Sequence, residues 1–226
     1  SYVIIKKLSV NIKSLVTVKK FLLTTIDDVL HGVIHYEDQE MLSNIALIEL
    51  SQGNVVHEYN LPSITLKSNI KVRFADGNGF FVILCRNSLY VIDKESNEFI
   101  CHSTGMPANV VACHPQEQMI ATGDQKGKIF LWHNIFNKNP GKTLLHWHHM
   151  IVLSLAFSQS GTVLYSGGAE CVLVKWQIKE KSLEKNFLPR VSGSIKQISI
   201  DSRRDKITIS LDDNSIRIIN SNLDLL

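Results

Sequence analysis

A long-range repeat is the feature that most restricts how this chain can fold. Four apolar runs of the same shape end at Ile92, Trp132, Trp176 and Ile219, with spacings of 40, 44 and 43 residues. The runs are rich in β-branched and aromatic residues and are separated by Gly, Asn, Asp and Ser, which is typical of strands and turns. A second series of apolar positions keeps nearly the same period, with spacings of 39, 44 and 43 residues between Phe74, Cys113, Phe157 and Ile200. A period of this length with four strands per unit is the signature of a β-propeller blade.

The repeat divides the chain into five units, which we interpret as blades of an all-β, WD-repeat β-propeller over residues 1–226. In the best-formed unit the four strands are predicted at 152–157, 163–167, 173–177 and about 182–187. Propellers close with four to eight blades, and an open sheet edge favours aggregation. We therefore predict a seven-bladed ring of which about five blades are present. The predicted units are approximately 12–60, 61–104, 105–147, 148–190 and 191–226, with the last incomplete and its outer strand beginning near Leu223.

The N-terminal part fits the repeat less well. The window from Asp27 to Glu40 is the most helix-like, and we interpret it as a loop or short turn. Residues 46–50 and 55–59 predict a hairpin across a turn that contains Gly53. The chain opens on Ser1 within a strand-like run, which indicates a segment of a longer protein.

The composition is that of an ordinary globular protein, with 44% hydrophobic and 20% charged residues. The net charge of +3 is too small to indicate nucleic-acid binding by itself. No apolar run reaches the length of a membrane helix, so no membrane association is expected. The cysteines show no C-x-x-C spacing and are predicted to be reduced and buried; they are Cys85, Cys101, Cys113 and Cys171.

One blade nearly supplies the His, Ser/Thr, Asp and Trp network that often ties the turns of WD repeats together. His148 precedes the inner strand, Ser166 ends the second strand, Trp176 ends the third, and Glu170 stands where Asp is usual. An imidazole can bridge a carboxylate and a hydroxyl, and a buried indole N–H needs an acceptor. Neighbouring blades keep only parts of the network, namely Trp132 with Thr122 and, in the last blade, Asp213. We predict a structural role for these residues.

Neither a metal site nor a catalytic centre is indicated. His146 and His148 could share one face of a strand, but no further ligand lies at supporting spacing. The chain has no G-x-S-x-G, H-E-x-x-H or P-loop motif. We therefore expect no cofactor, no small-molecule substrate and no enzymatic activity.

Basic residues cluster in two predicted loops, where they could contact RNA phosphates or a partner protein. The same residues could instead be solvated surface charge, which is the interpretation that the sequence favours, while phosphate or partner contact stays open. The candidates are Arg203, Arg204, Lys206, Lys179, Lys181 and Arg190.

Four stretches of the chain resemble one particular family. They are Leu145 to Met150, Leu164 to Gly168, Val172 to Trp176 and Phe187 to Arg190. The chain is similar to the first propeller of the WD-repeat protein seventy-five (Nan-one, UTP-seventeen) family over roughly residues 105–222. The resemblance implies a nucleolar subunit of the UTP-A (t-UTP) subcomplex of the small-subunit processome. It further implies roles in pre-rRNA processing, small-subunit biogenesis and rDNA transcription. The implied partners are other UTP-A subunits and the 5′ external transcribed spacer of the pre-rRNA.

Three functional hypotheses follow, and they differ in what the surface must carry. A scaffold needs rigid blades with variable loops. A peptide-recognising adaptor for ubiquitination or chromatin complexes, the main alternative, would favour acidic or aromatic residues at the channel mouth. An enzyme would need a nucleophile or converging carboxylates on one face.

Overall fold

The computed structural model describes residues 12, 15–61, 64, 71–178, 184–188, 190–201 and 206–224. Within these residues 19 strands form five sheets, in which consecutive strands pair antiparallel. The strand-like run near Ser1 lies outside the described residues. Sheet 1 contains β1 (Leu15–Ile26), β2 (Val29–Asp38), β3 (Ser43–Glu49) and β4 (Asn54–Tyr59). Sheet 2 contains β5 (Val72–Asp76), β6 (Phe80–Cys85), β7 (Ser88–Asp93) and β8 (Phe99–Ser103).

The other three sheets follow the same plan. Sheet 3 contains β9 (Ala108–Cys113), β10 (Met119–Asp124), β11 (Lys128–His133) and β12 (Gly141–His146). Sheet 4 contains β13 (Val152–Phe157), β14 (Val163–Gly168), β15 (Leu173–Gln177) and β16 (Lys185–Leu188). Sheet 5 contains β17 (Ile195–Ile200), β18 (Lys206–Leu211) and β19 (Ile216–Asn220).

Burial and contacts show how the sheets are arranged. Every residue of β6, β10 and β14 is buried, whereas β12 and β16 are largely exposed. The first strand of each sheet contacts the first strand of the next, from sheet 1 through to sheet 5. First strands therefore surround an axis and fourth strands form the rim, which confirms the predicted β-propeller fold. The number of blades that complete the ring stays a prediction.

Most of the hydrophobic core lies between neighbouring sheets, and a smaller cluster around Ile34, Tyr36 and Ile48 belongs to sheet 1 alone. Phe81 and Leu47 pack between sheets 1 and 2, and Trp132 and Phe80 pack between sheets 2 and 3. Trp176 packs between sheets 3 and 4. Tyr165, Leu173, Ile195 and Ile219 pack between sheets 4 and 5. Sheets 2, 3 and 4 are therefore each stabilised by the sheets on both sides, because both of their faces are apolar.

The interpretation of residues 27–40 as a loop was wrong. The segment contains β2, a ten-residue strand joined to β1 by a tight turn. Asp27 and Asp28 form that turn with φ of 48° and 59°, the left-handed values that a two-residue hairpin requires and that Asp tolerates. The pattern misled because β2 is buried on both faces, including His31 and His35, so apolar and polar residues do not alternate.

The predicted start of the last outer strand near Leu223 stays a prediction. Leu223 lies in the turn that follows β19, where its N–H donates to the carbonyl oxygen of Asn220 and the Asn220 N–H donates to that of Asp224. Its side chain is buried against sheet 5 and belongs to the core between sheets 4 and 5. An apolar side chain at this position therefore fills the core between these two sheets.

Candidate functional site

Four side chains of sheet 4 form one continuous hydrogen-bonded network. Trp176 Nε1 donates to Ser166 Oγ over 2.8 Å, and Ser166 Oγ lies 2.7 Å from His148 Nε2. The Nδ1 atom of His148 is hydrogen-bonded to the carboxylate of Glu170. His148 precedes β13, Ser166 lies in β14, Glu170 in the following turn and Trp176 in β15. The network therefore joins the three inner strands of the sheet and the turns at one end of them.

A neutral His148 satisfies every donor of this network, while the second carboxylate oxygen of Glu170 is buried without a hydrogen-bond partner. Trp176 donates to Ser166, the Ser166 hydroxyl then donates to His148 Nε2, and His148 Nδ1–H donates to Glu170. Burial lowers the pKa of His148, although the Glu170 carboxylate opposes this shift. A proton added at Nε2 would leave the Ser166 hydroxyl hydrogen without its acceptor. The contact with Glu170 is thus a hydrogen bond of a neutral imidazole rather than an ion pair.

This protonation state predicts how stability depends on pH. Because the pKa of His148 is lower in the folded chain than in the unfolded chain, the unfolded state binds more protons as the pH falls below about 6.5. The contribution of neutral His148 to the free energy of unfolding is therefore fully present above that pH. It is lost as the pH falls through the folded-state pKa. Urea unfolding between pH 7 and pH 5 should show this loss.

The matched variant for that experiment is His148→Gln, which cannot titrate. Between pH 6.5 and 5 its unfolding free energy should fall less steeply with pH, by up to about 1.4 kcal/mol per pH unit. Part of the slope should remain, because burial also lowers the pKa of His35. The other charged groups around His148 are His146, His149 and Glu170. Equal slopes in the two proteins would contradict a neutral buried His148.

Sheet 3 keeps only the tryptophan half of the network. Trp132 Nε1 donates to Thr122 Oγ1 over 2.9 Å, with the same ten-residue separation as Trp176 and Ser166. The ammonium group of Lys142 lies 3.8 Å from the centre of the Trp132 ring, a cation–π contact from the outer strand. The Trp132 indole is therefore held in the same way as that of Trp176, but without the His and Glu side chains of the sheet 4 network.

Sheet 5 keeps only the acidic half. Asp213 accepts hydrogen bonds from the Ser192 hydroxyl over 2.6 Å and from the backbone N–H of Ser215 over 2.9 Å. These bonds lower the pKa of Asp213 to about 2, with the Ser192 bond first among the causes. Ile209 and Ile219, both fully buried, occupy the positions of Ser166 and Trp176. An apolar pair thus replaces the Ser–Trp hydrogen bond.

His114 is a structural residue that the sequence analysis missed. It is fully buried, and its Nδ1 accepts the backbone N–H groups of Gln116 and Glu117 at 3.2 and 2.9 Å. Its Nε2 donates to the carbonyl oxygen of Gly161 over 3.0 Å and so links sheet 3 to the turn between β13 and β14. The Cys-His-Pro tripeptide after an inner strand was the available signal, but its partner lies 47 residues away.

The propeller has two faces, which place the predicted basic residues apart. We call the upper face the one that carries the segments before the first strands and the turns between second and third strands. Arg190, exposed before β17, lies on this face, whereas Lys206, exposed at the start of β18, lies at the opposite end. The other four candidates lie outside the described residues: Arg203, Arg204, Lys179 and Lys181.

A different group of cations meets on the upper face. Lys71 precedes β5, Arg73 lies in β5 and Arg86 in the turn between β6 and β7, and together they line a cavity of about 290 Å³. Asn109 and Gln125 of sheet 3 form its other polar wall. The Nδ2 group of Asn109 is buried and has no hydrogen-bond partner.

The central channel continues this basic surface. Lys20 of β1, Arg73 of β5 and Lys196 of β17 line a cavity of about 370 Å³ between the inner strands. Because Arg73 lines both cavities, the five cations form one region, which we call the basic channel mouth. Its members are Lys20, Lys71, Arg73, Arg86 and Lys196.

The basic channel mouth carries little compensating negative charge. Among the described residues that line the two cavities, none is acidic. The ion pairs found in the described part of the chain lie elsewhere, at Lys19–Glu37 and Lys94–Asp76. Burial and the nearby Arg73 lower the pKa of Lys20. Asp212 is the acidic neighbour of Lys196, and hydrogen bonds from Ser194, with a smaller effect of the Lys196 charge, lower the pKa of its carboxyl group.

Other candidate chemistry is sparse in the described ranges. No group of three or more His, Cys, Asp and Glu side chains is placed there to hold a metal ion. No helix in the same ranges is long and apolar enough to cross a membrane. All four cysteines are free thiols, but only Cys85 is buried and Cys101 is exposed, so the prediction of four buried cysteines was wrong. Cys101 lies in β8, whose residues alternate between the core and solvent at the rim.

The radial sheets and the partial Trp networks define a WD-repeat β-propeller. A solved structure titled "Structure of Dos1 propeller" is similar to 89% of this chain and 54% of that chain, with a TM-score of 0.68 and 10% identity, which supports the fold alone. The family model of the first β-propeller of WD repeat-containing protein 75 matches residues 89–214, more than half of the chain. The chain belongs to this family, which confirms the resemblance found in the sequence.

Two curated relatives show the breadth of that family. WD repeat-containing protein 75 of Mus musculus is 45% identical over 129 residues, which are 57% of this chain and 14% of the relative. U3 small nucleolar RNA-associated protein 17 of Schizosaccharomyces pombe is 33% identical over 118 residues, which are 52% of this chain and 14% of the relative. The matched region is thus about a seventh of the length of these relatives.

Proposed function

We propose that this chain is part of a non-catalytic scaffold subunit in small-ribosomal-subunit biogenesis. The observation that carries the proposal is its membership of the WD repeat-containing protein 75 family. The fission yeast relative is named as associated with U3 small nucleolar RNA, which supports a role in a ribosome-biogenesis complex and a nucleolar location. At the finer level we propose the UTP-A subcomplex as the assembly, with roles in pre-rRNA processing and rDNA transcription.

The architecture suits a scaffold because its rigidity and its variable surface reside in different residues. Buried cores between sheets and the His148–Ser166–Trp176 hydrogen bonds hold the blades, whereas exposed turns present the side chains that meet partners. Other UTP-A subunits and the 5′ external transcribed spacer are the proposed partners. Arg190 and Lys206 remain proposed contacts, on opposite faces of the ring.

Gentle purification of the tagged full-length protein from nuclear extract tests the assembly. Co-purifying proteins are identified by mass spectrometry, and ultraviolet-crosslinked RNA is sequenced. Recovery of UTP-A subunits with 5′ external spacer RNA is the expected result. Recovery of a ubiquitin ligase or chromatin complex without ribosomal precursor would overturn the proposal in favour of a peptide-recognising adaptor.

A further inference from the structure

The basic channel mouth is a surface that no local sequence motif indicates. Its cations come from sheets 1, 2 and 5, and Arg73 is shared by the cavity and the channel. Lys20 is half-buried and lies close enough to Arg73 for the guanidinium to lower the pKa of its ammonium group. Like charges held together at an uncharged wall repel each other, and a bound anion would relieve that repulsion.

The hydrogen-bonding groups at this surface also require an acceptor. Arg73 donates to the carbonyl oxygen of Val72 over 3.2 Å through one nitrogen. The Nδ2 group of Asn109, buried in the wall of the same cavity, has no acceptor. A buried unpaired donor is costly, and a ligand that brings an oxygen acceptor would satisfy it. A guanidinium and an amide next to lysines match phosphate oxygens well.

The shape and lining of the cavity decide which polyanion it fits. No aromatic side chain lines the 290 Å³ cavity among the described residues, so bases would find no stacking partner there. The apolar lining of that cavity is limited to Leu84, Pro107 and Ala108, which leaves little to hold the side chains of a peptide. The spaced cations, which continue into the channel, instead match a polymer that carries one negative charge per unit.

We propose that the basic channel mouth binds the phosphate backbone of single-stranded RNA, through Arg73 and Arg86 at the cavity and Lys20, Lys71 and Lys196 around it. Binding is independent of base sequence and weakens with salt, because it depends on charge. The inference rests on the proposed function for its choice of RNA, but not for the existence of the anion site.

The test compares two double variants of the full-length protein that lose the same charge. Arg73→Gln/Arg86→Gln removes two cations of the channel mouth. Lys138→Gln/Lys185→Gln removes two exposed lysines, one in the loop after β11 and one on the rim strand β16. Fluorescence anisotropy with a labelled oligouridylate measures the Kd of each protein between 0.05 and about 0.3 M salt.

The channel-mouth variant should bind about tenfold more weakly at physiological salt, with the slope of log K against log salt reduced by about 1.4 for two lost phosphate contacts. The rim variant should match the unaltered protein, and thermal unfolding of all three should agree within a few degrees. Equal losses in both variants would overturn the proposal. So would an equally tight, equally variant-sensitive complex with oligoglutamate, which would make this an acidic-peptide surface.

This result is separable from the purification experiment. Oligouridylate binding at the channel mouth without ribosomal precursor in the purified complex would refute the proposed function and retain the RNA site. Recovery of the precursor together with equal binding by both variants would retain the function and refute the site.

Discussion

Gly161→Ala is expected to lower the free energy of unfolding by about 3–5 kcal/mol, because one methyl group meets two obstacles at once. Gly161 has φ of +73°, a left-handed conformation that costs a non-glycine residue about 1–2 kcal/mol. A Cβ atom there would also lie 2.0 Å from Nε2 of His114. The ring is buried and tied to three backbone groups, so it cannot move aside without breaking those hydrogen bonds.

Gly105→Ala is the matched control for that clash. Gly105 has φ of +77°, but nothing lies within 4 Å of a Cβ atom built on it. The Gly105→Ala substitution should therefore lower the free energy of unfolding by only about 1–2 kcal/mol, the cost of the left-handed backbone conformation. Urea titration of both variants measures the two losses. His114→Ala combined with Gly161→Ala should cost less than the sum of the two single changes, since the clash disappears with the ring. Equal losses for Gly161→Ala and Gly105→Ala would show that His114 does not link the two sheets.

Trp176→Ala should cost about 3–5 kcal/mol, because it opens a large cavity between sheets 3 and 4. Trp176 is 3% exposed and its indole N–H is bonded to Ser166, which in turn contacts His148. Trp176→Phe keeps most of the ring volume and should lose about 1–3 kcal/mol, chiefly because Ser166 Oγ loses the indole donor and the ring is smaller. Urea unfolding of both variants separates packing from hydrogen bonding.

Phe187→Ala controls for removal of an aromatic ring at the rim. Phe187 is 40% exposed and packs on Trp147, so its loss should cost much less than that of Trp176. A loss below about 1 kcal/mol for Trp176→Ala would contradict its placement as a buried blade residue.

The fold could be predicted because each repeat unit is marked by apolar runs and turn residues that lie close together in the chain. The apolar runs that end at Trp132 and Trp176 predict the third strands of sheets 3 and 4 where the structure has β11 and β15. Strand β2 was missed because both of its faces are buried, which removes the alternation that identifies a strand. The turn residues Asp27 and Asp28 then resembled a loop.

The site was less predictable, because it depends on contacts between sheets. His148, Ser166, Glu170 and Trp176 were named from spacing within one repeat, and the structure brings these four side chains together. Lys20, Arg73 and Lys196 lie on three different inner strands, and only the order of the sheets around the axis shows that they share a channel. A local search for basic runs found loop residues instead, most of which fall outside the described ranges.

We propose that this chain acts by binding within small-subunit biogenesis. Rapid depletion of the full-length protein from cells, followed by pulse-labelling of ribosomal RNA, tests this proposal. Synthesis of mature small-subunit rRNA should fall well before that of large-subunit rRNA, while precursors retaining the 5′ external spacer should become abnormal in amount. Unchanged synthesis of small-subunit rRNA after depletion would contradict it.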